Sequence, residues 1–167
     1  MEEARELEEI AAGAAEGGPR GAAAASGQVE LLGFRLADEE YGIDILEVKE
    51  IIRLQPITAV PRSPAWIRGI VTLRGVIVPI FDLRRRLGLA EIEQGADARI
   101  VVAYRGDEFA GLIVDRITQV VRTSADRIEP PPHTIGLAEA EYLRGVVRLE
   151  DRLVILLNLA RVLEVGT

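Results

Sequence analysis

The chain has 167 residues, of which 49% are hydrophobic but only 4% aromatic. This length allows one ordinary core or two small ones, and valine, isoleucine and leucine must fill them. The chain has no cysteine, which excludes disulfides and thiolate sites, and its net charge of −7 without a basic stripe disfavours nucleic acid as a partner.

The first 28 residues form a segment of distinct composition. They are rich in alanine and glycine and contain six glutamates, such as Glu2 and Glu16, against Arg5 and Arg20. A segment with so little apolar bulk cannot bury a core, which predicts a disordered acidic tail over residues 1–28. Neither a signal peptide nor a membrane span is indicated, so we expect a cytoplasmic protein.

The rest of the chain is expected to be mainly β, beginning at Val29. In its first half, short apolar runs bounded by turn residues predict four strands, followed by a short helix that Asp82 caps. These elements are Leu31–Leu36, Tyr41–Leu46, Ile67–Leu73, Val76–Phe81 and the helix Leu83–Leu87. Between the two strand pairs, Val48, Ile51 and Ile52 have a roughly helical spacing, which predicts a strand end or a single helical turn.

The second half repeats the first in the same order. Its predicted strands are Ile100–Tyr104, Phe109–Val114, Leu143–Leu149 and Leu153–Leu157, and Asn158 caps a final helix. The polar segment Ala90–Ala98 separates the halves, and short strands at close intervals are typical of small barrels. We therefore expect a first barrel over about 29–89 and a second over about 99–167, with exchange of strands between them left open.

The two halves match residue by residue, which indicates one module present twice. Trp66–Val71 aligns with Tyr142–Val147, and Gly42–Ile45 aligns with Gly111–Val114. Two such units must pack on each other or display paired surfaces.

Groups suited to catalysis are scarce in this sequence. The single histidine, His133, lies in a proline-rich loop without an evident orienting partner. The acidic segments Asp38–Glu40 and Asp107–Glu108 fall at equivalent turns and fit solvated hairpin tips, and Arg84–Arg86 fits the exposed face of a short helix. We predict that the protein is not an enzyme and has no cofactor and no metal site.

Positions at which the two copies differ are candidates for binding. Arg74-Gly75 in the first copy is replaced by Glu150-Asp151 in the second, and Pro79 by Ile155. A proline within a strand predicts an edge or a bulge, and an arginine beside an apolar edge is typical of binding hot spots. After the second strand of each unit, matched apolar residues either close the ends of the barrels or line a groove suited to a partner helix: Val48, Ile51, Ile117 and Val120.

Several of these segments resemble the CheW family of chemotaxis coupling proteins. The most recognisable are Glu39–Ile51 (EEYGIDILEVKEI) and Ile67–Arg84 (IRGIVTLRGVIVPIFDLR), and Gly111–Asp115 and Tyr142–Val146 extend the similarity. The resemblance covers about Val29 to Val165, in order and with few gaps. One departure is Thr72, where many members have asparagine.

This resemblance implies two SH3-like five-stranded β-barrels with short helices and a shared apolar core between them. It also implies a non-catalytic scaffold adaptor that couples the cytoplasmic tips of transmembrane chemoreceptors to the histidine kinase CheA, without direct membrane insertion. A receptor helical hairpin would bind between the barrels, and the kinase's CheW-like regulatory domain would bind barrel to barrel. The partner-binding residues carried over by position are Val48, Glu50, Arg74, Ile100, Ile117 and Val120.

Two other classes of function compete with this reading. A small barrel enzyme or small-molecule binder would use the groove as a pocket and Asp38 or Asp107 for chemistry. A nucleic-acid-binding barrel is disfavoured by the acidic balance and by the scarcity of aromatic residues for stacking.

Overall fold

The computed structural model describes residues 27–131 and 140–165, in which ten strands and a few short helices alternate. The strands are β1 Gln28–Leu36, β2 Glu39–Asp44, β3 Val48–Arg53, β4 Ile67–Leu73, β5 Val76–Asp82, β6 Arg99–Arg105, β7 Glu108–Val114, β8 Arg116–Ser124, β9 Leu143–Arg148 and β10 Leu153–Leu157. The helices are α1 Leu83–Arg86 and α2 Leu159–Val162, with single 3-10 turns at Ile45–Glu47, Ala125–Arg127 and Ala140–Tyr142. The predicted tail lies outside the described residues up to Ser26, and so does His133; β1 begins at Gln28.

The structure contains every predicted strand and adds β3 and β8. The prediction of a strand end or a helical turn after Tyr41–Leu46 was half right: a turn at Ile45–Glu47 is followed by the strand β3. In the pairing of β3 with β6 the register shifts between Val48 and Glu50. This bulge places buried Val48 and Ile51 three residues apart on one face, which imitates helical spacing.

The ten strands form two five-stranded sheets with equivalent topology. Sheet I has the order β8-β1-β2-β10-β9, and sheet II has the order β3-β6-β7-β5-β4. The registers also correspond: Leu156 pairs with Gly42 in sheet I as Ile80 pairs with Gly111 in sheet II. The internal repeat of the sequence is therefore a repeat of structure.

The sheets do not follow the expected division into residues 29–89 and 99–167. Sheet I combines β1 and β2 with β8, β9 and β10, whereas sheet II is the continuous segment β3–β7. The chain crosses from sheet I to sheet II at Ile45–Glu47 and returns at the single residue Asp115. The strand exchange that the sequence left open is thus present, and each sheet draws strands from both halves of the chain.

Within residues 27–131 and 140–165, one isolated backbone bridge links the two edges of each sheet, as in a small barrel. In sheet II, Thr58, which follows the edge strand β3, exchanges two backbone hydrogen bonds with Ile70 on the opposite edge strand β4, at 2.9 and 2.8 Å. In sheet I, Glu129, which follows β8 and the turn Ala125–Arg127, makes the same pair of bonds with Val146 on the opposite edge strand β9. The two closures lie at equivalent positions of the repeat.

Glycine is required at both closures because of the close approach of the bridging segment. A Cβ at Gly69 would lie 2.1 Å from the Thr58 oxygen, and a Cβ at Gly145 would lie 2.5 Å from the Glu129 oxygen. Gly69 also has a φ of +147°, which side-chain-bearing residues rarely adopt. The matched glycines of the sequence repeat therefore serve the closure of the two sheets.

Three apolar clusters hold the sheets together. One lies within sheet II and includes Val78 and Ile100, and a second lies within sheet I and includes Val121 and Leu156. The third and largest joins side chains of both sheets: Leu32, Phe34, Leu36, Tyr41, Ile43, Val48, Ile51, Phe81, Val101, Ala103, Ala110, Leu112 and Val114 are among its members. The predicted core between two five-stranded β units is confirmed.

The two capping predictions are also confirmed. The Asp82 carboxylate accepts from the backbone N–H of Arg85 at 3.2 Å at the start of α1, and the Asn158 side-chain oxygen accepts from that of Arg161 at 3.3 Å at the start of α2. Across the described residues, no helix has the length and apolar character needed to cross a membrane.

Candidate partner-binding surface

The predicted site residues divide into buried and accessible side chains. Val48 and Ile100 are fully buried, the first in the core between the sheets and the second within sheet II. Neither side chain offers surface to a partner in this conformation. Val48 lies on β3 and Ile100 on β6, where both pack in the interior beneath the accessible residues.

Ile117 and Val120 lie on β8 and are half-buried. Both pack against the core between the sheets, as do Val48 and Ile51 of the equivalent strand β3. The four matched apolar residues therefore meet in one cluster, and its β8 members keep part of their surface accessible. This arrangement fits both roles that the sequence left open: closing the ends of the barrels and lining a groove for a partner helix.

Arg74 and Glu50 form an ion pair on sheet II. Arg74 occupies the β4–β5 turn, and its Nη2 contacts Glu50 Oε2 on β3. The arginine side chain is 70% exposed and that of Glu50 only 19%. Arg74 has a φ of +48°, and Gly75 follows with a φ of +83°, which together form the tight turn. The guanidinium is thus accessible at the tip of a hairpin, with one internal carboxylate as its partner.

Two exposed aliphatic residues directly follow this turn. Val76 and Ile77, the first residues of β5, are 45% and 64% exposed, and Ile77 is the most exposed large apolar residue of the described chain. We call Arg74, Val76 and Ile77 the hairpin patch, since they lie at one hairpin tip, although Val76 and Ile77 face opposite sides of sheet II. The sequence analysis missed the two apolar members, although Arg152 and Leu153 at their matched positions in the second copy gave a signal of divergence at Val76.

Pro79 is not at a sheet edge, although an edge was one of the two predicted alternatives, the other being a bulge. Strand β5 lies between β7 and β4, and β4 is the edge strand. Opposite Pro79, Ile70 directs both of its backbone groups to Thr58, and the pairing of β5 with β7 begins only at Ile80. No ladder partner therefore requires the N–H that proline lacks.

The expectation of solvated acidic hairpin tips is wrong for Glu40. This residue is 6% exposed, and its carboxylate accepts from Arg152 Nε at 2.6 Å and from the Thr118 hydroxyl at 2.7 Å. Asp107 and Glu108 at the equivalent turn are exposed, as expected. Among the described residues no group of three or more histidine, cysteine, aspartate or glutamate side chains could hold a metal ion.

The expectation of an exposed Arg84–Arg86 face is also wrong for two of the three residues. Arg84 is 6% exposed and makes a two-point contact with Asp115, at 3.0 Å from Nε and 2.5 Å from Nη2. This hydrogen bond with Asp115 raises the pKa of Arg84, so the guanidinium remains charged in spite of its burial. Arg86 is half-buried and lies over the rings of Trp66 and Tyr142, at 4.4 and 5.0 Å.

Arg86 also connects the two helices of the repeat. It donates to the backbone oxygens of Val162, Arg161 and Glu164 at the end of α2, at 3.0, 3.3 and 2.7 Å. A cation at this place complements the free carbonyls of a helix C-terminus. Of the three arginines, only Arg85 is exposed.

Together, these features define a class of protein. Two β units share a core, the described surface carries an accessible arginine beside exposed apolar side chains, and β8 presents half-buried apolar residues next to the core. Such an arrangement is suited to binding other proteins.

Comparison with known proteins gives the family. The family model for the CheW-like domain matches residues 30–166. A probable chemotaxis protein CheW from Rhizobium etli is 35% identical over 133 residues, which cover 80% of this chain and 86% of that protein. The chemotaxis protein CheW of Treponema pallidum is 38% identical over 136 residues, or 79% and 80% of the two chains.

A solved structure agrees with these relatives. The crystal structure of the scaffolding protein TtCheW from Thermoanaerobacter tengcongensis is similar with a TM-score of 0.77 and 34% identity, covering 83% of this chain and 89% of that one. The chain therefore belongs to the CheW-like family.

Proposed function

We propose that this protein is a non-catalytic scaffold adaptor of bacterial chemosensory signalling, which couples transmembrane chemoreceptors to the histidine kinase CheA. Membership in the CheW-like family and the similarity to a protein titled as a scaffolding protein support this role. The adaptor would work in the cytoplasm and be recruited to receptor arrays at the membrane.

The hairpin patch is the observation that carries the proposal. An exposed arginine and exposed aliphatic side chains at one hairpin tip have the composition of a binding hot spot. The equivalent turn of sheet I carries Glu150 and Asp151 instead, so the patch is present once although the scaffold is present twice.

The accessible residues of the proposed surface divide between the two sheets. Arg74 and Glu50 belong to sheet II, and Ile117 and Val120 belong to β8 of sheet I. We assign all four to partner binding and assign Val48 and Ile100 a supporting role, because both are fully buried. A receptor helical hairpin would lie in the groove between the sheets, and the kinase's regulatory domain would pack against a sheet.

Charge reversal at the hairpin patch tests the proposal. Arg74→Glu should weaken binding of a receptor-tip fragment by about 30-fold, since truncation of a hot-spot arginine costs about 2 kcal/mol. The affinity is measured by calorimetry, and dependence of kinase activity on the adaptor is measured in a mixture of receptor fragment, kinase and this protein.

Glu150→Arg is the matched control, because it reverses a charge at the equivalent turn of sheet I. It should leave receptor binding within about twofold, as expected for a residue outside the hot spot. If Arg74→Glu binds both partners as the wild type does, Arg74 does not belong to the site. If the wild-type protein binds neither partner, the proposed function is wrong.

A further inference from the structure

Asp115 occupies a singular place in the chain. It is the only residue between β7 of sheet II and β8 of sheet I, so the second crossing between the sheets consists of this residue alone. The first crossing is the turn Ile45–Glu47, which the Asp44 carboxylate stabilises by accepting from the Leu46 N–H at 2.9 Å. Any change in the angle between the sheets must be absorbed at these two crossings.

The carboxylate of Asp115 contacts both sheets at once. Toward sheet II it receives the two-point contact of Arg84 on α1, which directly follows β5. Toward sheet I it accepts from the backbone N–H of Ala37 in the β1–β2 turn at 2.9 Å. The backbone N–H of Asp115 itself donates to the Arg35 oxygen at 3.0 Å. One side chain thus joins the helix of one sheet to a hairpin of the other.

The remaining partners of this contact are also fixed. Arg84 donates a third hydrogen bond to the Ala90 oxygen at 2.6 Å, so its guanidinium is held from two sides. Its side chain is 7% exposed and that of Asp115 is 16% exposed, which limits competition by water. Ala37 has a φ of +55°, a conformation that alanine rarely adopts, so the turn that presents its N–H is specifically constrained.

This contact is absent from the equivalent position of the repeat. Arg84 corresponds to Ala160 on α2, and Asp115 corresponds to Leu46 at the first crossing. The ion pair is therefore not required by the shared scaffold. It is a feature of the second crossing alone, where the chain enters β8, the strand that carries Ile117 and Val120.

We infer that Asp115 and Arg84 form a clamp that fixes the angle between the two sheets and so positions the β8 residues of the proposed groove. Asp115 is a positioning residue: it lies two residues before Ile117 and is not itself part of the proposed partner-binding surface. The inference rests on the proposed function for its effect on binding, but its structural consequence can be measured on the protein alone.

The test measures the distance between the sheets directly. Because the chain has no cysteine, spin labels can be placed at Asp107→Cys in sheet II and Glu150→Cys in sheet I, both at exposed turns. The labelled protein should give one narrow distance distribution, measured by pulsed electron resonance. Asp115→Asn should broaden or displace this distribution, because the neutral amide offers one acceptor oxygen instead of two and cannot keep the charged two-point contact with Arg84.

Two further variants separate positioning from mere stability. Arg84→Met combined with Asp115→Leu replaces the ion pair by apolar side chains, which commonly restores stability, but it leaves the Ala37 N–H without its acceptor. We expect normal stability, a broadened distribution, and receptor-tip affinity reduced about tenfold. Should Asp115→Asn fail to fold, Arg84→Lys carries the same test, since it keeps the charge but loses the two-point contact.

The exposed ion pair of Arg85 and Glu91 beside the clamp provides the control. Arg85→Gln should leave distances and affinity unchanged. An unchanged distribution in the clamp variants would overturn the inference, and so would normal receptor affinity alongside a broadened distribution. Absence of receptor binding by the wild type would refute the proposed function while leaving the distance measurement to decide the clamp.

Discussion

Sheet I and sheet II have the same strand order and matching registers, yet equivalent positions carry opposite chemistry. In sheet I, the charge of buried Glu40 is neutralised by Arg152, and the Thr118 hydroxyl donates a hydrogen bond to the same carboxylate. The three equivalent residues of sheet II are Phe109, Val76 and Lys49, in that order. There the ammonium of Lys49 lies over the Phe109 ring at 5.1 Å, and Val76 is exposed. One copy of the module is thus sealed by an ionic network, and the other presents apolar surface.

The same contrast extends into the core between the sheets. Sheet I contributes the cross-strand pair Phe34 and Tyr41, whose rings stack at 6.4 Å, and sheet II contributes Ala103 and Ala110 at the equivalent positions. All four are buried in the same cluster. Large side chains from one sheet therefore share a core with small ones from the other, which allows close packing that two identical sheets would not achieve.

The largest expected loss of stability comes from changing the glycines at the backbone bridges that close each sheet. Gly69→Ala should destabilise the protein by about 4 kcal/mol, because the new methyl group collides with the Thr58 carbonyl and the backbone conformation is unfavourable for alanine. Gly145→Ala, which meets only the collision, should cost about 2 kcal/mol. Urea unfolding monitored by circular dichroism measures both.

Gly95→Ala is the matched control for these substitutions, since a Cβ at Gly95 meets nothing within 4 Å. Its free energy of unfolding should lie within about 0.5 kcal/mol of that of the wild type. Wild-type stability of both Gly69→Ala and Gly145→Ala would show that the closures do not hold the sheets.

Disrupting the ionic network of sheet I should lower the free energy of unfolding by less than Gly69→Ala does. Glu40→Ala is expected to cost about 3 kcal/mol, because it leaves Arg152 without its buried partner and removes the acceptor of Thr118. Glu30→Ala removes a surface partner of Arg122 and should cost less than about 0.5 kcal/mol. Equal losses in the two variants would contradict the distinction between a sealed interior and a solvated face.

The smallest effect concerns Tyr41 and pH. Burial, with a contribution from Glu39, raises the pKa of Tyr41 from 10.0 to about 12. The folded state therefore favours the neutral phenol: this contribution is complete below pH 10 and is lost as the pH rises through 12. The relation between pKa and stability gives a loss of about 1 kcal/mol between pH 9 and pH 11.

Tyr41→Phe isolates this contribution, because it removes the phenol and keeps the ring. The Tyr41 hydroxyl is buried without a hydrogen-bond partner among the described residues, so the variant should be at least as stable as the wild type at pH 7. Above pH 10 it should retain about 1 kcal/mol more of its stability than the wild type does. Parallel pH profiles for the two proteins would mean that the pKa of Tyr41 is the same in the folded and the unfolded state.

Local signals in the sequence were reliable where neighbouring residues decide the structure. The strand Ile67–Leu73 was predicted with the bounds that the structure has, and the caps Asp82 and Asn158 act as expected. The alignment of Trp66–Val71 with Tyr142–Val147 matched Gly69 to Gly145 but gave no reason for a glycine there. The reason is the carbonyl of Thr58, which belongs to a segment that sequence patterns do not place. The bulge at Lys49 likewise made β3 resemble a helical turn.

The amino-acid sequence by itself determined the number and kind of the modules, their order and the family to which they belong. The alternation of apolar and polar residues and the turn residues are local patterns, and the internal repeat is found by aligning the sequence with itself. Tertiary structure alone decided which strands share a sheet and which charges are buried. Glu40 meets Arg152 across 112 positions of the chain, and Arg84 meets Asp115 across 31. Such contacts depend on how the two halves interleave, and the free energy of burying a charge is set by the partner that folding brings to it.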